Sequence, residues 1–158
     1  VLTNLGAAAR RAGKLDEERS YYRQALAVHQ ESGHRLGVAL ALNNLGSVAA
    51  RLNNVDEARR SLRAALAESQ EGHFDFVMLD ALVWLALLTA KSGDALAAVE
   101  WLAHPLHHPS ADGETVVAAQ TLLSEISRGQ SAVAVTKALE RGRAHDVHDR
   151  VRVFLEEA

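Results

Sequence analysis

Eight histidines in a chain that contains no cysteine are the first residues that could do chemistry, and most of them cluster as His104, His107 and His108, then His145 and His148. Imidazoles three positions apart on a helix can share a metal ion. Pro105 interrupts the first cluster, however, and no Glu stands beside a His in the arrangement of helical zinc hydrolases. In the second cluster Asp146 and Asp149 suit a solvated helix start. No metal site is expected. The serines Ser47, Ser61 and Ser69 lack the strand, turn and helix setting of a nucleophile elbow. Neither Gly129-Gln130-Ser131 nor Arg141-Gly142-Arg143 has the second spaced glycine or the Lys-Ser/Thr pair of a phosphate-binding loop. The paired carboxylates Asp16-Glu17 and Asp56-Glu57 sit where a helix begins, and there they complement the helix dipole. Catalysis is not expected, and no cofactor is implied.

The elements that carry these residues follow from a repeat. In 158 residues the sequence returns to itself with a period of 40: Asn4-Leu5-Gly6 recurs as Asn44-Leu45-Gly46, Asp16-Glu17 as Asp56-Glu57, and Ala25-Leu26 as Ala65-Leu66. Gly13 falls opposite Asn53 and Gly93, and Leu82, Leu85 and Ala86 open a third copy. Within one unit Leu42, Leu45, Val48, Ala49 and Leu52 share one helical face, and Ala58, Leu62, Ala65 and Leu66 share another. Each unit is therefore a pair of antiparallel helices. The spacing predicts helices at about 1–12, 15–32, 36–52, 55–71, 75–92 and 95–104 and no strands. Gly6, Gly46 and Ala86 on the first helices are expected to face Glu18, Ala58 and Ala98 on the second, with Glu18 the one charged member. Gly33 and Gly72 stand where a second helix ends and a left-handed cap can form.

After Leu102 the register fails in a loop of Pro105, Pro109, Asp112 and Gly113, and helical spacing resumes with Val116, Ala119, Leu122 and Ile126, then with Val133, Val135 and Leu139. A fourth, divergent pair is expected. A final amphipathic segment with Val147, Val151, Phe154 and Leu155 on one side reads as a cap over the last apolar face of the array. The whole is expected to be an all-α superhelix over residues 1–158, a single domain with regular repeats at 1–106 and the divergent pair and cap at 107–158. Because Val1 opens in mid-pattern, the chain is read as a piece of a longer polypeptide.

Composition narrows the partners. Seventeen Lys and Arg against twenty Asp and Glu leave a formal charge of −3, so no general field holds nucleic acid, and seven aromatic residues in all make a poor stacking platform for single strands. The most apolar stretch, Val77–Ala90, is broken by Asp80 and Thr89 and falls short of the roughly 20 residues a membrane span needs. The absence of Cys suits a reducing cytoplasm.

The pattern Leu42, Asn44-Leu45-Gly46, Asn53, Asp56-Glu57-Ala58, Leu62, Ala65-Leu66 resembles the tetratricopeptide repeat, whose unit of about 34 residues is here lengthened to 40. Glu18 and Ala9 depart from it where that family prefers Ala and an aromatic, and Pro105 stands where it prefers Ala. The long period and the link Gly33-His34-Arg35-Leu36-Gly37-Val38-Ala39 are similar to the arrays at the C-terminal ends of large bacterial signal-dependent transcriptional regulators. The resemblance implies a non-enzymatic module that binds a protein or peptide in a groove lined by the first helices, where residues at equal repeat positions form columns. Those columns are Arg11, Arg51 and Lys91; Thr3, Asn43 and Val83; Ala7, Ser47 and Leu87; and Asn4, Asn44 and Trp84. The cations favour an acidic ligand and the Asn side chains can bracket its backbone. Two alternatives stand beside this reading: a small-ligand or signal-peptide receptor closing around Val83 and Trp84, and a self-association module, a homodimer formed through an exposed array end near Leu2 and Leu5.

Overall fold

A computed structural model describes residues 1–157 of the chain. Among these residues all regular structure is helical: α1 (Leu2–Arg11), α2 (Leu15–Glu31), α3 (Arg35–Arg51), α4 (Val55–Gly72), α5 (Asp75–Lys91), α6 (Ala95–Leu102), α7 (Gly113–Ser127), α8 (Ala132–Arg143) and α9 (Val147–Glu156). They group into two compact units, residues 1–77 and residues from 78 onward. The six helices expected over the repeats are present within two residues at each end.

In the first unit α1 packs on α2, α2 on α3 and α3 on α4. Each repeat turns between its helices at the same place, and the backbone there is left-handed: φ is +71° at Gly13, +57° at Asn53 and +100° at Gly93. Glycine enters that conformation without a steric cost and Asn tolerates it, which explains why these two residue types occupy one column. Between pairs, Gly33 takes the expected positive φ of +66°. The other expected cap is corrected. His73, at φ +55°, makes the left-handed turn, and Gly72 closes α4 against the Phe74 ring, which a Cβ on Gly72 would strike.

Side-chain caps start the later helices. Asn54 accepts from the Glu57 amide at 3.3 Å while its own amide donates to the Glu57 carboxylate at 2.8 Å. Asp94, Asp112 and Ser131 accept from the amides of Ala97, Thr115 and Ala134, and Asp146 from that of His148. Such caps satisfy amides that have no partner inside the helix.

The core of the first unit joins Tyr22, Ala25, Ala39, Leu45, Val48, Ala58, Leu62 and Leu66, all nearly inaccessible. Gly6 and Gly46 admit the close approach of α2 and α4, but their nearest neighbours are the Tyr22 ring and the Leu62 side chain, one turn beyond the expected Glu18 and Ala58. In the second unit Val83, Ala86, Ala98, Leu102, Ala119 and Leu122 form the core, with Trp101, Leu106 and Ile126 packed against it. The two helices that fall where a divergent pair was expected, α7 and α8, each pack on α6. α6 is cut short three residues before Pro105, and it packs more extensively on α8 than on α7. The close crossing is made by Gly142, where a methyl group would collide with the Glu100 carbonyl. Val147 and Val151 of α9 are buried.

Candidate interaction surface

The first helices of the first unit, α1 and α3, carry most of the expected groove positions. Asn4 and Arg11 lie exposed on α1. On α3 the structure draws three of them together. The Ser47 hydroxyl donates to the Asn44 carbonyl at 2.9 Å, and the Arg51 Nε donates to the Ser47 carbonyl at 3.4 Å. Asn43 and Ser47 are buried, at 4% and 2% exposure, so their side chains are packed inside the unit. Asn44 is half-buried.

Arg51 turns toward the preceding helix. Its Nη2 meets Glu18 Oε1 at 2.5 Å, and Glu18 on α2 is fully buried. A carboxylate withdrawn from water needs a countercharge, and the guanidinium, itself about a quarter exposed, supplies one while keeping an edge in solvent. The second oxygen, Oε2, is buried with no hydrogen-bond partner. The charged residue that breaks the small-residue column is therefore half of an ion pair between α2 and α3. Beside it Tyr22 has its hydroxyl pKa raised, first by burial and then by the Glu18 charge, against the opposing pull of Arg10, Arg51 and Arg11. The repeated cation of α3 is thus engaged in joining two helices.

The remaining candidates belong to the second unit. Val83 is 6% exposed and sits in the core, with Leu87 half-buried against the same cluster. Trp84 is half-buried, and Lys91 is exposed at the end of α5.

A second constellation in this unit has no counterpart among the repeat columns. Glu100 on α6 receives Arg141 of α8 at 2.6 Å and Arg150 of α9 at 3.2 Å, and its backbone carbonyl accepts from Arg150 as well. The Arg150 guanidinium lies 4.5 Å from the centre of the Trp101 ring, whose face attracts cations, and Phe154 meets Trp101 edge-on at 5.4 Å. Burial lowers the Arg150 pKa, and Glu100 works against that. Trp101, Arg150 and Phe154 line a cavity of about 330 Å³ together with His145, Asp149, Val153 and Glu157. Trp101 and Phe154 were visible in the sequence as a rare aromatic and a cap residue. Their meeting was not, because more than fifty residues separate them.

His104 is half-buried, its pKa lowered chiefly by burial and then by Arg150 and His108, while Asp146 and the Gly142 backbone favour the charged ring. His107 bonds to Arg143. Among the described residues no three His, Asp or Glu side chains come together as a metal site, and no helix is long and apolar enough to cross a membrane.

The family model of the tetratricopeptide repeat matches residues 1–68. No curated protein and no solved structure matches the chain. Residues 1–68, which hold α1 to α3 and most of α4, are thus similar to the tetratricopeptide repeat, whose repeats are protein-interaction modules.

Proposed function

We propose that this chain, with its similarity to the tetratricopeptide repeat over residues 1–68, is a non-enzymatic repeat domain that binds a partner protein or acidic peptide along its first helices. The observation that carries the reading is the recurrence of accessible polar residues one repeat apart on α1 and α3, Asn4 with Asn44 and Arg11 with Arg51. Asn side chains both donate and accept, so they can bracket an extended backbone. Exposed guanidinium groups give the surface a preference for carboxylates. Trp84, Leu87 and Lys91 are the corresponding candidates on α5. With Arg51 committed to Glu18, the cationic contribution on the first unit falls mainly to Arg11. The similarity of the long repeat and of the link at 33–39 to the C-terminal arrays of bacterial signal-dependent transcriptional regulators supports a role as the regulatory part of such a protein, acting in the cytoplasm.

Site-specific photo-crosslinking tests the reading. A photoreactive residue at Asn4 or Asn44 is expected to capture one and the same partner from the host cell, while the same residue at Arg59 or Arg60 on the exposed side of α4 captures none. Equal capture from both sets of positions would contradict it.

A second reading, a small-ligand receptor, draws on the cavity beside Trp101, where an aromatic face and a guanidinium suit a ligand with an apolar body and an anionic end. Binding that is lost in Trp101→Ala and kept in a variant of Asn4 and Asn44 would favour it.

A further inference from the structure

His29 and His34 lie outside both histidine clusters, and the backbone brings them together where α2 gives way to α3. His29 stands in the last turn of α2 and His34 is the N-cap of α3, with Gly33 turning left-handed just before it. The His34 amide donates to the His29 carbonyl at 3.0 Å, and the Ser32 hydroxyl donates to the same carbonyl at 3.2 Å. This closed turn holds the rings side by side: Nδ1 of one is 3.3 Å from Nδ1 of the other, with ring centres 5.1 Å apart and planes tilted by 58°. Gly37, buried in the first turn of α3, makes the room, since a methyl group there would run into both rings. The link forty residues on has the same backbone without the histidines. There the Phe74 amide donates to the Ser69 carbonyl at 2.9 Å, and His73 makes the left-handed turn that Gly33 makes here. The positions of His29, His34 and Gly37 are taken in that link by Ser69, Phe74 and Val77, so the fold itself does not call for an imidazole pair.

The 3.3 Å separation fits a shared metal ion better than a hydrogen bond. A hydrogen bond would draw the two nitrogens to about 3.0 Å. Two imidazole nitrogens each about 2.05 Å from a zinc ion, with a tetrahedral angle between them, lie about 3.3 Å apart. Neighbouring ligands of a square-planar ion would lie closer, at about 2.8 Å. Charge permits a cation here, because Arg35, next to His34, is held by Glu68 at 3.0 Å and by Glu71 at 2.7 Å. We propose that Nδ1 of His29 and Nδ1 of His34 together bind one zinc ion, each ring carrying its proton on Nε2. Among the described residues no third His, Asp or Glu joins them, so water completes the tetrahedron and the ion exchanges readily. The bound ion ties the end of α2 to the start of α3 and so stiffens the link between the first two helix pairs. This site is separate from the Asn4 and Asn44 surface and does not rest on the function proposed above.

The test is isothermal titration of the untagged chain with zinc chloride, read beside the imidazole nitrogen resonances in NMR. Saturable binding of one zinc ion per chain is expected, with the Nδ1 resonances of His29 and His34 shifting and those of His104, His107 and His108 staying in place. His29→Gln and His34→Gln are each expected to weaken binding by about tenfold or more, since each removes one of only two protein ligands. Gly37→Ala keeps both histidines but displaces their rings, and it is expected to weaken binding with the circular-dichroism spectrum unchanged. His145→Gln, in the second unit, is expected to leave the affinity as it was. Three results would overturn the proposal: no saturable heat, an affinity unchanged when His29 and His34 are both replaced by Gln, which would place the ion at other histidines, or zinc-dependent shifts at Nε2 of the two rings in place of Nδ1.

Discussion

Glu18 and Arg51 form an asymmetric pair, since the carboxylate is fully buried and the guanidinium still reaches solvent. Arg51→Met leaves a buried charge uncompensated and is expected to cost about 3–5 kcal/mol of unfolding free energy. Glu18→Gln keeps the shape and an acceptor for Arg51, and its expected cost is about 1–2 kcal/mol. Urea denaturation of the two variants measures the difference, and equal losses would show that the pair contributes only through its contacts. Titration tests the second unit at the same scale. Burial, then Arg150 and His108, lower the His104 pKa below its ordinary 6.5, so the unfolded chain takes up the proton before the folded one does. Stability is therefore complete above about pH 6.5 and declines as pH falls toward and through the lowered folded value. His107, lowered by burial and by Arg143, adds a change of the same sign. Denaturation between pH 7.5 and 5 is expected to show this decline, and His104→Gln to flatten it.

At the scale of elements, one repeat position serves as its own control. Leu45→Ala empties a buried site on α3 and is expected to cost about 2–5 kcal/mol, whereas Leu5→Ala on α1 costs about 1 kcal/mol or less because its side chain already meets water. Thermal unfolding of the two variants measures this, and similar losses would mean that α1 is covered in the free chain. Gly142→Ala sets a methyl group against the Glu100 carbonyl where α8 crosses α6, and a loss of about 1–3 kcal/mol follows from that overpacking. Gly129→Ala has its nearest obstacle, a carbonyl oxygen, 4.0 Å away, so it is expected to be neutral or slightly stabilising. The helices and their turns were legible in the sequence because their causes are local: apolar residues every three or four positions, and Gly or Asn where the backbone must turn left-handed. His73 was missed as a cap because the adjacent glycine is the commoner left-handed residue, and here Gly72 serves the Phe74 ring instead.

Across the whole molecule, what the sequence reveals falls off with the distance between the residues concerned. The 40-residue period identified which positions are equivalent, yet equivalence of position did not make Asn43, Ser47 and Val83 accessible, since packing by other elements decides burial. Glu18 stood out as the only charge in a column of small residues, but the reason, an ion pair with a residue 33 positions away, lies beyond any local pattern. The Glu100 cluster reaches 41 and 50 residues ahead, and no local pattern announces it. The central claim is that partners engage the first helices, and amide hydrogen exchange of the chain, alone and with the partner captured through Asn4 or Asn44, tests it most directly. Slowed exchange in α1 and α3 is the predicted result. Unchanged exchange there, with protection appearing only in α6 and α9 around Trp101 and Phe154, would contradict it.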